Sequence, residues 1–262
     1  MTTDNGVAVS EHADGQPLLV TKDGHVAVLT LNRPDRRNAI NRAMRKAIKK
    51  ELWRADADDD VRVIVITGAG SSFSAGVDLP EALAGPPPRT EGTTPTQVMR
   101  AVSKPIIAAV NGPCYTGGFE FAVNCSFIIA SDRAEFVDTH AQIGLLNGWG
   151  GSAMLPRTVG LPAALQIVLS GQPVDAATAE RIGLANEVVP HEKLMVRTME
   201  VAHAIAGGHP GAVQRMLRLL KDGAGTSVAH ALGLEVEAGA TFRRDNADVG
   251  ARFGRQRAAK ID

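Results

Sequence analysis

The chain has 262 residues, which is long enough to bury a substantial hydrophobic core. Its 28 basic and 28 acidic residues give a formal net charge of zero, so we expect no nucleic-acid partner and no binding to a membrane surface. The apolar runs are much shorter than the roughly 20 residues of a membrane-spanning helix, and the polar start is not typical of a signal peptide.

The chain contains two cysteines, Cys114 and Cys125, which provide neither a disulfide framework nor a zinc site. His191-Glu192 begins like a metalloprotease motif, but the second histidine of that motif is replaced by Met195. We therefore expect a reducing, cytoplasmic setting and no metal site.

The first elements along the chain are predicted to be a hairpin, a helix and a buried strand. Leu18–Thr21 and Val26–Asn32 are apolar or alternating on either side of a polar turn, which predicts two paired strands. Asn38–Ala57 has apolar positions at helical spacing. Val61–Thr67 is rich in β-branched residues, as is typical of a strand that is buried on both faces.

The middle of the chain alternates between strands, turns and helices. Ile106–Val110 and Phe127–Ala130 are strand candidates, and a helix is predicted between them over Gly118–Asn124. This order indicates an α/β core. The segment Pro80–Thr96 is rich in proline and glycine and predicts a loop that borders a pocket. Further elements are predicted at Gln97–Ser103 (helix), Glu187–Val189 (extended), Val196–Ala206, Ala212–Leu220 and Ser227–Arg244 (helices).

Two glycine-bearing turns, Ser74–Asp78 and Asn111–Glu120, each follow one of the apolar strand candidates. A tight turn after a strand can direct a backbone N–H group into a cavity. Two such groups that converge on one oxygen form an oxyanion hole, which stabilises charge developing on a carbonyl. Glu120 would place a carboxylate beside that carbonyl, so the two turns together indicate acyl chemistry. The alternative is that the glycines serve only the backbone geometry of the turns.

With these segments in place, the chain resembles the crotonase superfamily, also called the enoyl-CoA hydratase/isomerase family. The resemblance extends from about residue 18 to residue 257 through an ordered set of motifs: Leu31–Ile40, Val63–Leu79, Lys104–Gly112, Gly117–Glu120, Gly148–Gly151, Leu169–Gly171 and Ala179–Val189. It implies an α/β fold in which ββα units form a spiral with a helical C-terminal region. It also implies homotrimers or dimers of trimers.

Three regions are expected along the chain, the first from its polar and acidic composition and the other two from the same resemblance. Residues 1–16 are expected to be a disordered tail, and residues 17–195 to form the spiral core with an acyl-CoA site. Residues 196–262 are expected to form a helical region that mediates oligomerisation.

The resemblance assigns roles to residues in the two glycine turns. The backbone N–H groups of Val77 and Gly117 would stabilise a thioester enolate, and Glu120 would be the first catalytic glutamate of hydratases. A glutamate can relay a proton to or from water that attacks an unsaturated thioester. The alternative for Glu120 is a carboxylate that stabilises the start of a helix through its dipole.

The sequence departs from the family pattern at the second hydratase glutamate, where His140 stands. Thr139 also occupies a position that usually holds proline. Histidine can donate or accept a proton near neutral pH, although it does not carry the charge of a carboxylate. The alternative is a hydrogen-bonded structural histidine. Asp138 could substitute for the missing carboxylate only if the local backbone bends.

Coenzyme A is expected as a part of the substrate, with no separate cofactor. The resemblance implies that it contacts Arg37, Ala39, Ala75, Asp78 and Leu79. Arginine near the adenosine end can bind phosphate through charge-assisted hydrogen bonds. The alternative is a solvated loop. A basic cluster near the C-terminus has the same two interpretations: Arg243, Arg244, Arg252, Arg255, Arg257 and Lys260.

These observations favour an enzyme that adds water to 2-enoyl-CoA, with Glu120 as the principal acid/base group and His140 helping to hold the water. The first alternative is an enoyl-CoA double-bond isomerase, since isomerisation can proceed with one proton-carrying group. The second alternative is an acyl-CoA-binding protein without turnover, which the exchange of glutamate for His140 leaves open.

Overall fold

The computed structural model describes residues 15–84 and 92–245. Most of the tail predicted for residues 1–16 lies outside these ranges. So do part of the predicted loop over Pro80–Thr96 and the last four members of the C-terminal basic cluster.

The described residues form nine strands and ten helices. The strands are β1 (Leu18–Asp23), β2 (Val26–Leu31), β3 (Val63–Gly68), β4 (Ile106–Val110), β5 (Pro113–Tyr115), β6 (Phe127–Ser131), β7 (Glu135–Val137), β8 (Val174–Asp175) and β9 (Glu187–Val189). The helices are α1 (Arg42–Ala57), α2 (Leu79–Leu83), α3 (Pro95–Ala101), α4 (Gly117–Val123), α5 (Gly151–Val159), α6 (Leu161–Ser170), α7 (Ala176–Arg181), α8 (Leu194–Ala206), α9 (Pro210–Gly223) and α10 (Val228–Asp245).

Two sheets organise the fold. The larger has the strand order β1-β2-β3-β4-β6-β9, and the smaller has the order β5-β7-β8. The hairpin of β1 and β2 is antiparallel, as predicted, and the other neighbours in the large sheet are parallel. Parallel neighbours need crossover connections, which here pass through the small sheet and the helices.

The chain repeats one path through these layers. First β4 joins the large sheet, β5 joins the small sheet, and α4 follows. Then β6 joins the large sheet, β7 joins the small sheet, and α5 follows. Such repeats of two strands and a helix form the spiral of ββα units that the sequence predicts. The predicted fold is confirmed.

Both faces of the large sheet are buried, which explains the continuous apolar runs of its central strands. On one face, Ile64 and Ile66 belong to the main core together with Met44 and Ile48 of α1. On the other face, alternate residues of the same strands pack with residues of α8: Val63, Val65, Ile107, Ala109, Leu194 and Ala202. Strands that are covered on both sides carry apolar residues at every position.

Helix α1 begins four residues later than the sequence predicts. The Asn41 side chain accepts a hydrogen bond from the Met44 backbone N–H at 2.9 Å and so caps the helix at its first turn. Upstream, Asn38 adopts a left-handed conformation with φ 54°, and Ile40 pairs with Val77 in a parallel bridge. The predicted start at residue 38 was therefore wrong, because tertiary pairing holds residues 38–40 outside the helix.

The chain divides into two compact units, Met1–Pro210 and Gly211–Asp262. The sequence places the corresponding boundary at residue 195. The difference arises because α8 packs on the large sheet and so belongs to the first unit. In the described part of the second unit, the chain is helical in α9 and α10. The oligomerisation role predicted for residues 196–262 stays a prediction.

Among the described helices, none has the length and apolar character that crossing a membrane requires.

Asn38 is a fully buried polar side chain that links the loop before α1 to the loop after β3. Its Oδ1 accepts from the Arg33 N–H at 2.9 Å, and its Nδ2 donates to the Ala69 and Ser72 carbonyls at 2.9 and 2.8 Å. We expect Asn38→Ala to lower the free energy of unfolding by about 3 kcal/mol, because several buried groups lose their partners. Denaturant unfolding would measure the change. The control Asn32→Ala removes an exposed bond to Gln16 and should cost less than about 1 kcal/mol; equal losses would contradict the prediction.

Candidate active site

The site lies where β5 and β7 end. These strands are parallel neighbours, with Tyr115 opposite Val137, and the Thr116 N–H donates to the Val137 carbonyl at 2.7 Å. The carboxyl ends of parallel strands meet at one edge of a sheet, where ligands commonly bind. The segments that follow, which contain Gly117 and His140, therefore leave the sheet side by side.

The first glycine turn reaches the same edge because it is paired at two points. Ser74 pairs with Cys114 of β5, and Val77 pairs with Ile40. The Ile40 N–H donates to the Gly76 carbonyl at 2.7 Å. In a parallel bridge of this kind, the N–H of Val77 itself points away from Ile40. That direction leads towards Gly117.

The backbones at Val77 and Gly117 approach each other closely. A Cβ placed on Gly117 would lie 3.2 Å from the Val77 nitrogen, and one on Gly76 would lie 2.8 Å from the Gly117 nitrogen. Within the described part of the chain, neither the Val77 N–H nor the Gly117 N–H donates a hydrogen bond to another protein group. Gly117 is the first residue of α4, where a backbone N–H has no partner inside the helix. Two unpaired backbone N–H groups therefore lie close together at this edge of the small sheet.

Glu120 lies one turn into α4 and is 3% exposed. Its Oε1 accepts hydrogen bonds from the backbone N–H groups of Trp149 and Gly151, each at 2.9 Å. Gly151 is also the first residue of α5, so the carboxylate lies at the positive end of a helix dipole. Backbone N–H groups at a helix start commonly bind anionic oxygens.

A second layer of hydrogen bonds holds these amides in place. Asn124 donates from Nδ2 to the Glu120 carbonyl at 2.7 Å and to the Trp149 carbonyl at 3.1 Å. Arg100 donates to Asn124 Oδ1 at 2.6 Å. The turn that carries the amide donors is therefore linked to the helix that carries Glu120.

His140 and Asp138 lie against Glu120, and all three are at most 5% exposed. His140 Nε2 is 3.4 Å from Glu120 Oε2, and His140 Nδ1 is 2.6 Å from Asp138 Oδ1. The Asp138 Oδ1 atom also accepts the His140 backbone N–H at 3.0 Å. The backbone thus bends after β7, which is the condition under which the sequence allowed Asp138 to take part. Thr139 pairs with Thr116 through their hydroxyls at 2.7 Å.

The electrostatics of this cluster favour a charged pair. Burial by itself lowers the pKa of His140, but the hydrogen bond and charge of Asp138, with the charge of Glu120, raise it above the usual histidine value. Burial by itself raises the pKa of Asp138, but hydrogen bonds from His140 and Asn147 bring it below the usual value. The imidazolium form of His140 is therefore stabilised between two carboxylates.

The residues predicted to contact coenzyme A lie along one seam between two paired segments, residues 37–40 and 75–79. The Ala75 N–H donates to the Arg37 carbonyl at 2.8 Å. Arg33 donates to Asp78 Oδ2 at 2.8 Å and to the Ala39 carbonyl at 2.7 Å. The Arg33 hydrogen bond lowers the pKa of Asp78. The side chain of Leu79 is half exposed at the start of α2.

The structure adds residues that the sequence interpretation missed or described differently. The backbone N–H of Trp149 binds Glu120, while its side chain packs against the main core. Asn124, Asn147 and Arg33 were not identified. The Gly148–Gly151 motif was identified only through the family resemblance, and no local pattern marks the two asparagines. In the ranges 15–84 and 92–245, no group of three or more metal-ligating side chains is arranged to hold a metal ion.

Comparisons with known proteins agree with this architecture. The sequence profile of the family described as Enoyl-CoA hydratase/isomerase matches residues 21–247. The Arabidopsis thaliana protein named "Probable enoyl-CoA hydratase 1, peroxisomal" is 37% identical over 218 residues, covering 82% of each chain.

Two solved structures extend the comparison. An enoyl-CoA hydratase subunit from Geobacillus kaustophilus superposes with a TM-score of 0.83 at 30% identity, covering 92% of this chain and 95% of that one. A structure described as a monofunctional enoyl-CoA isomerase from M. smegmatis superposes with a TM-score of 0.72 at 32% identity, covering 83% of this chain and 98% of that one.

Gly76 is the glycine on which the approach of the two amides depends. It has φ +91°, and an added Cβ would lie 2.8 Å from both the Gly117 nitrogen and the Tyr115 carbonyl oxygen. We expect Gly76→Ala to lower the free energy of unfolding by about 3 kcal/mol, from left-handed strain and backbone collision together. Thermal or denaturant unfolding would measure it.

Gly183 provides the matched control, since it has φ +76° and nothing within 4 Å of an added Cβ. Gly183→Ala should cost about 1 kcal/mol from strain alone. The same loss for both variants would mean that the two turns are not closely packed at Gly76.

Proposed function

The chain belongs to the Enoyl-CoA hydratase/isomerase family, and we propose that it catalyses the addition of water to the double bond of a 2-enoyl-CoA thioester. One observation carries the proposal: helix α4 carries Glu120, which is paired with His140, and begins at Gly117, whose unpaired backbone N–H lies close to that of Val77. The names of the Arabidopsis and Geobacillus relatives support the same reaction.

The two amides would bind the thioester oxygen. When water attacks C3, electron density moves from the double bond towards that oxygen, and the enolate carries negative charge there. Backbone N–H groups of Val77 and Gly117 are fixed by strand pairing and helix start, so they need no reorganisation as the charge develops. Loss of one such donor typically raises the barrier by about 3 kcal/mol.

Glu120 would be the principal acid/base group. Its Oε1 is occupied by the two amide donors, whereas Oε2 faces His140 Nε2 at 3.4 Å. The attacking water would therefore give its proton to Oε2, and His140 would help to hold that water. Proton transfer by a positioned side chain contributes roughly 100-fold or more.

Coenzyme A would lie along the seam of Arg37, Ala39, Ala75, Asp78 and Leu79. We propose that it arrives as part of the substrate and that no separate cofactor or metal takes part, since the backbone donors polarise the carbonyl. The predicted cytoplasmic location, and assembly into homotrimers or dimers of trimers, stay predictions.

Isomerisation is the second candidate, because the isomerase from M. smegmatis is 32% identical and aligns over nearly its full length. Moving a double bond requires one group that removes and returns a proton, and Glu120 can do both. Incubation with 2-enoyl-CoA and 3-enoyl-CoA in deuterated water separates the candidates. Hydration gives 3-hydroxyacyl-CoA with deuterium at C2, isomerisation gives a shifted double bond, and tight binding without either product indicates an acyl-CoA-binding protein.

Replacing Glu120 with glutamine tests its role directly. We expect Glu120→Gln to lower kcat for hydration at least ~100-fold, because the amide cannot accept the proton of the attacking water. His140→Ala should lower it less. The exposed Glu200 provides the control, and Glu200→Gln should keep wild-type kinetics. Full activity of Glu120→Gln would show that another group moves the proton.

Crowding the paired amides tests the oxyanion hole. A Cβ on Gly117 would lie 3.1 Å from Val77 Cγ2 and 3.2 Å from the Val77 nitrogen, which is one of the two proposed donors. We expect Gly117→Ala to lower kcat by about 100-fold or more, with a smaller change in KM. Steady-state kinetics would measure both.

The control for this variant is Gly233→Ala in α10, where an added Cβ meets nothing within 4 Å. It should leave kcat unchanged. If Gly117→Ala retains kcat while remaining folded, the thioester oxygen binds elsewhere.

A further inference from the structure

We propose that Asp138 is a positioning residue for hydration: it binds His140 through Nδ1 and directs the opposite nitrogen, Nε2, at Glu120, so that the imidazolium completes the proton transfer. The inference rests on the proposed function and extends it to a residue outside the glycine turns. It also explains how a histidine serves where relatives of this fold are expected to carry a second carboxylate.

The geometry fixes the imidazole from both sides. Asp138 Oδ1 lies 2.6 Å from His140 Nδ1 and also accepts the His140 backbone N–H at 3.0 Å. These two bonds close a tight local ring that sets the direction of the side chain. His140 Nε2 is then 3.4 Å from Glu120 Oε2. At 2%, 5% and 3% exposure, Asp138, His140 and Glu120 are shielded from bulk water.

Asn147 determines which atoms carry hydrogens. Its Nδ2 donates to Asp138 Oδ2 at 2.9 Å. Both Asp138 oxygens are therefore bound to donors, which an ionised carboxylate accepts without a proton of its own. Asn147 Nδ2 also lies 3.1 Å from His140 Nδ1, but the bond of Nδ1 to the Asp138 carboxylate is shorter, at 2.6 Å. Since a carboxylate only accepts, Nδ1 is the donor in that bond, and the ring exchanges its other proton at Nε2.

The charges that act on His140 come from two segments. Asp138 lies in the same segment as His140, and Glu120 faces the imidazole ring from α4. Among the described residues, no other charged group acts appreciably on the ring. Burial opposes the cation, but the two carboxylates outweigh burial and raise the pKa of His140. Because the pKa of His140 is raised in the folded protein, the imidazolium persists at pH values above the ordinary histidine pKa. It is lost as the pH rises through the pKa of the folded state.

Glu120 and His140 together then account for every proton that moves in the reaction. Water forms the C–O bond at C3, and its proton passes to Glu120 Oε2. The π electrons of the double bond form the enolate, whose oxygen lies at the two amides. His140 gives its Nε2 proton to C2, where the enolate electron pair forms the C–H bond. The proton on Glu120 then passes to Nε2, which restores both groups.

Asp138→Asn is the decisive variant, because asparagine keeps the shape and an acceptor oxygen but removes the charge. We expect kcat to fall at least ~10-fold while KM changes less than about 3-fold, since substrate does not touch Asp138. The basic limb of the kcat–pH profile should also move to lower pH by about one unit or more, because the imidazolium is lost earlier. Asp59→Asn, on an exposed aspartate, should change neither property.

A direct titration does not depend on turnover. NMR signals of the His140 ring, assigned by their absence in His140→Gln, should titrate above the usual value of about 6.5 in the wild-type chain and lower in Asp138→Asn. A wild-type His140 that titrates at or below about 6.5 would overturn the inference even if Asp138→Asn did not fold.

The outcomes separate the two proposals. If Glu120→Gln loses hydration but Asp138→Asn keeps the wild-type basic limb and His140 titration, the inference is wrong and the proposed function stands. If the wild-type chain hydrates no enoyl-CoA, the proposed function fails and the proton-return role fails with it. A shifted basic limb together with a shifted titration supports both.

Discussion

Parallel pairing between β5 and β7 is the constraint on which the site depends. This small sheet places Tyr115 opposite Val137, so the next residues of both strands emerge at one edge. The bridge between Ser74 and Cys114 attaches the first glycine turn to the same edge. A shift of one residue in either pairing would turn the following side chains to the other face. The backbone segments that carry the functional groups are therefore held in place by backbone hydrogen bonds.

The second constraint is electrostatic. Two carboxylates, Glu120 and Asp138, are nearly fully buried within a few ångströms of one imidazole, and buried charges require partners. Amides of the α5 start satisfy one oxygen of Glu120, while Asn147 and the His140 backbone satisfy Asp138. The cation of His140 lies between the two negative charges. Because the partners are fixed by structure, the site can keep charged groups ready in a dry environment.

Much of the fold could be read from local patterns. Strands β4 and β9 begin and end at the predicted residues, and the hairpin and the helices α4 and α8 differ by one or two residues. The strands of the small sheet were missed, because segments of two or three residues are too short for periodicity to show. Strand β9 is equally short, but two consecutive β-branched valines mark it as extended. The start of α1 was misplaced because Ile40 pairs with a segment 37 positions away. Contacts of that kind leave no mark on the local sequence.

The sequence by itself determined the order of the motifs, the buried strands, the two glycine turns and the candidates Glu120 and His140, since each depends on residue type at a local position. Only the tertiary structure decided which groups meet. It turned Asp138 towards His140, brought the Trp149 and Gly151 amides to Glu120, and left the amides of Val77 and Gly117 adjacent and unpaired. These contacts join residues on separate segments, or depend on a bend after a strand. Their geometry follows from how the sheets pack, which no local pattern encodes.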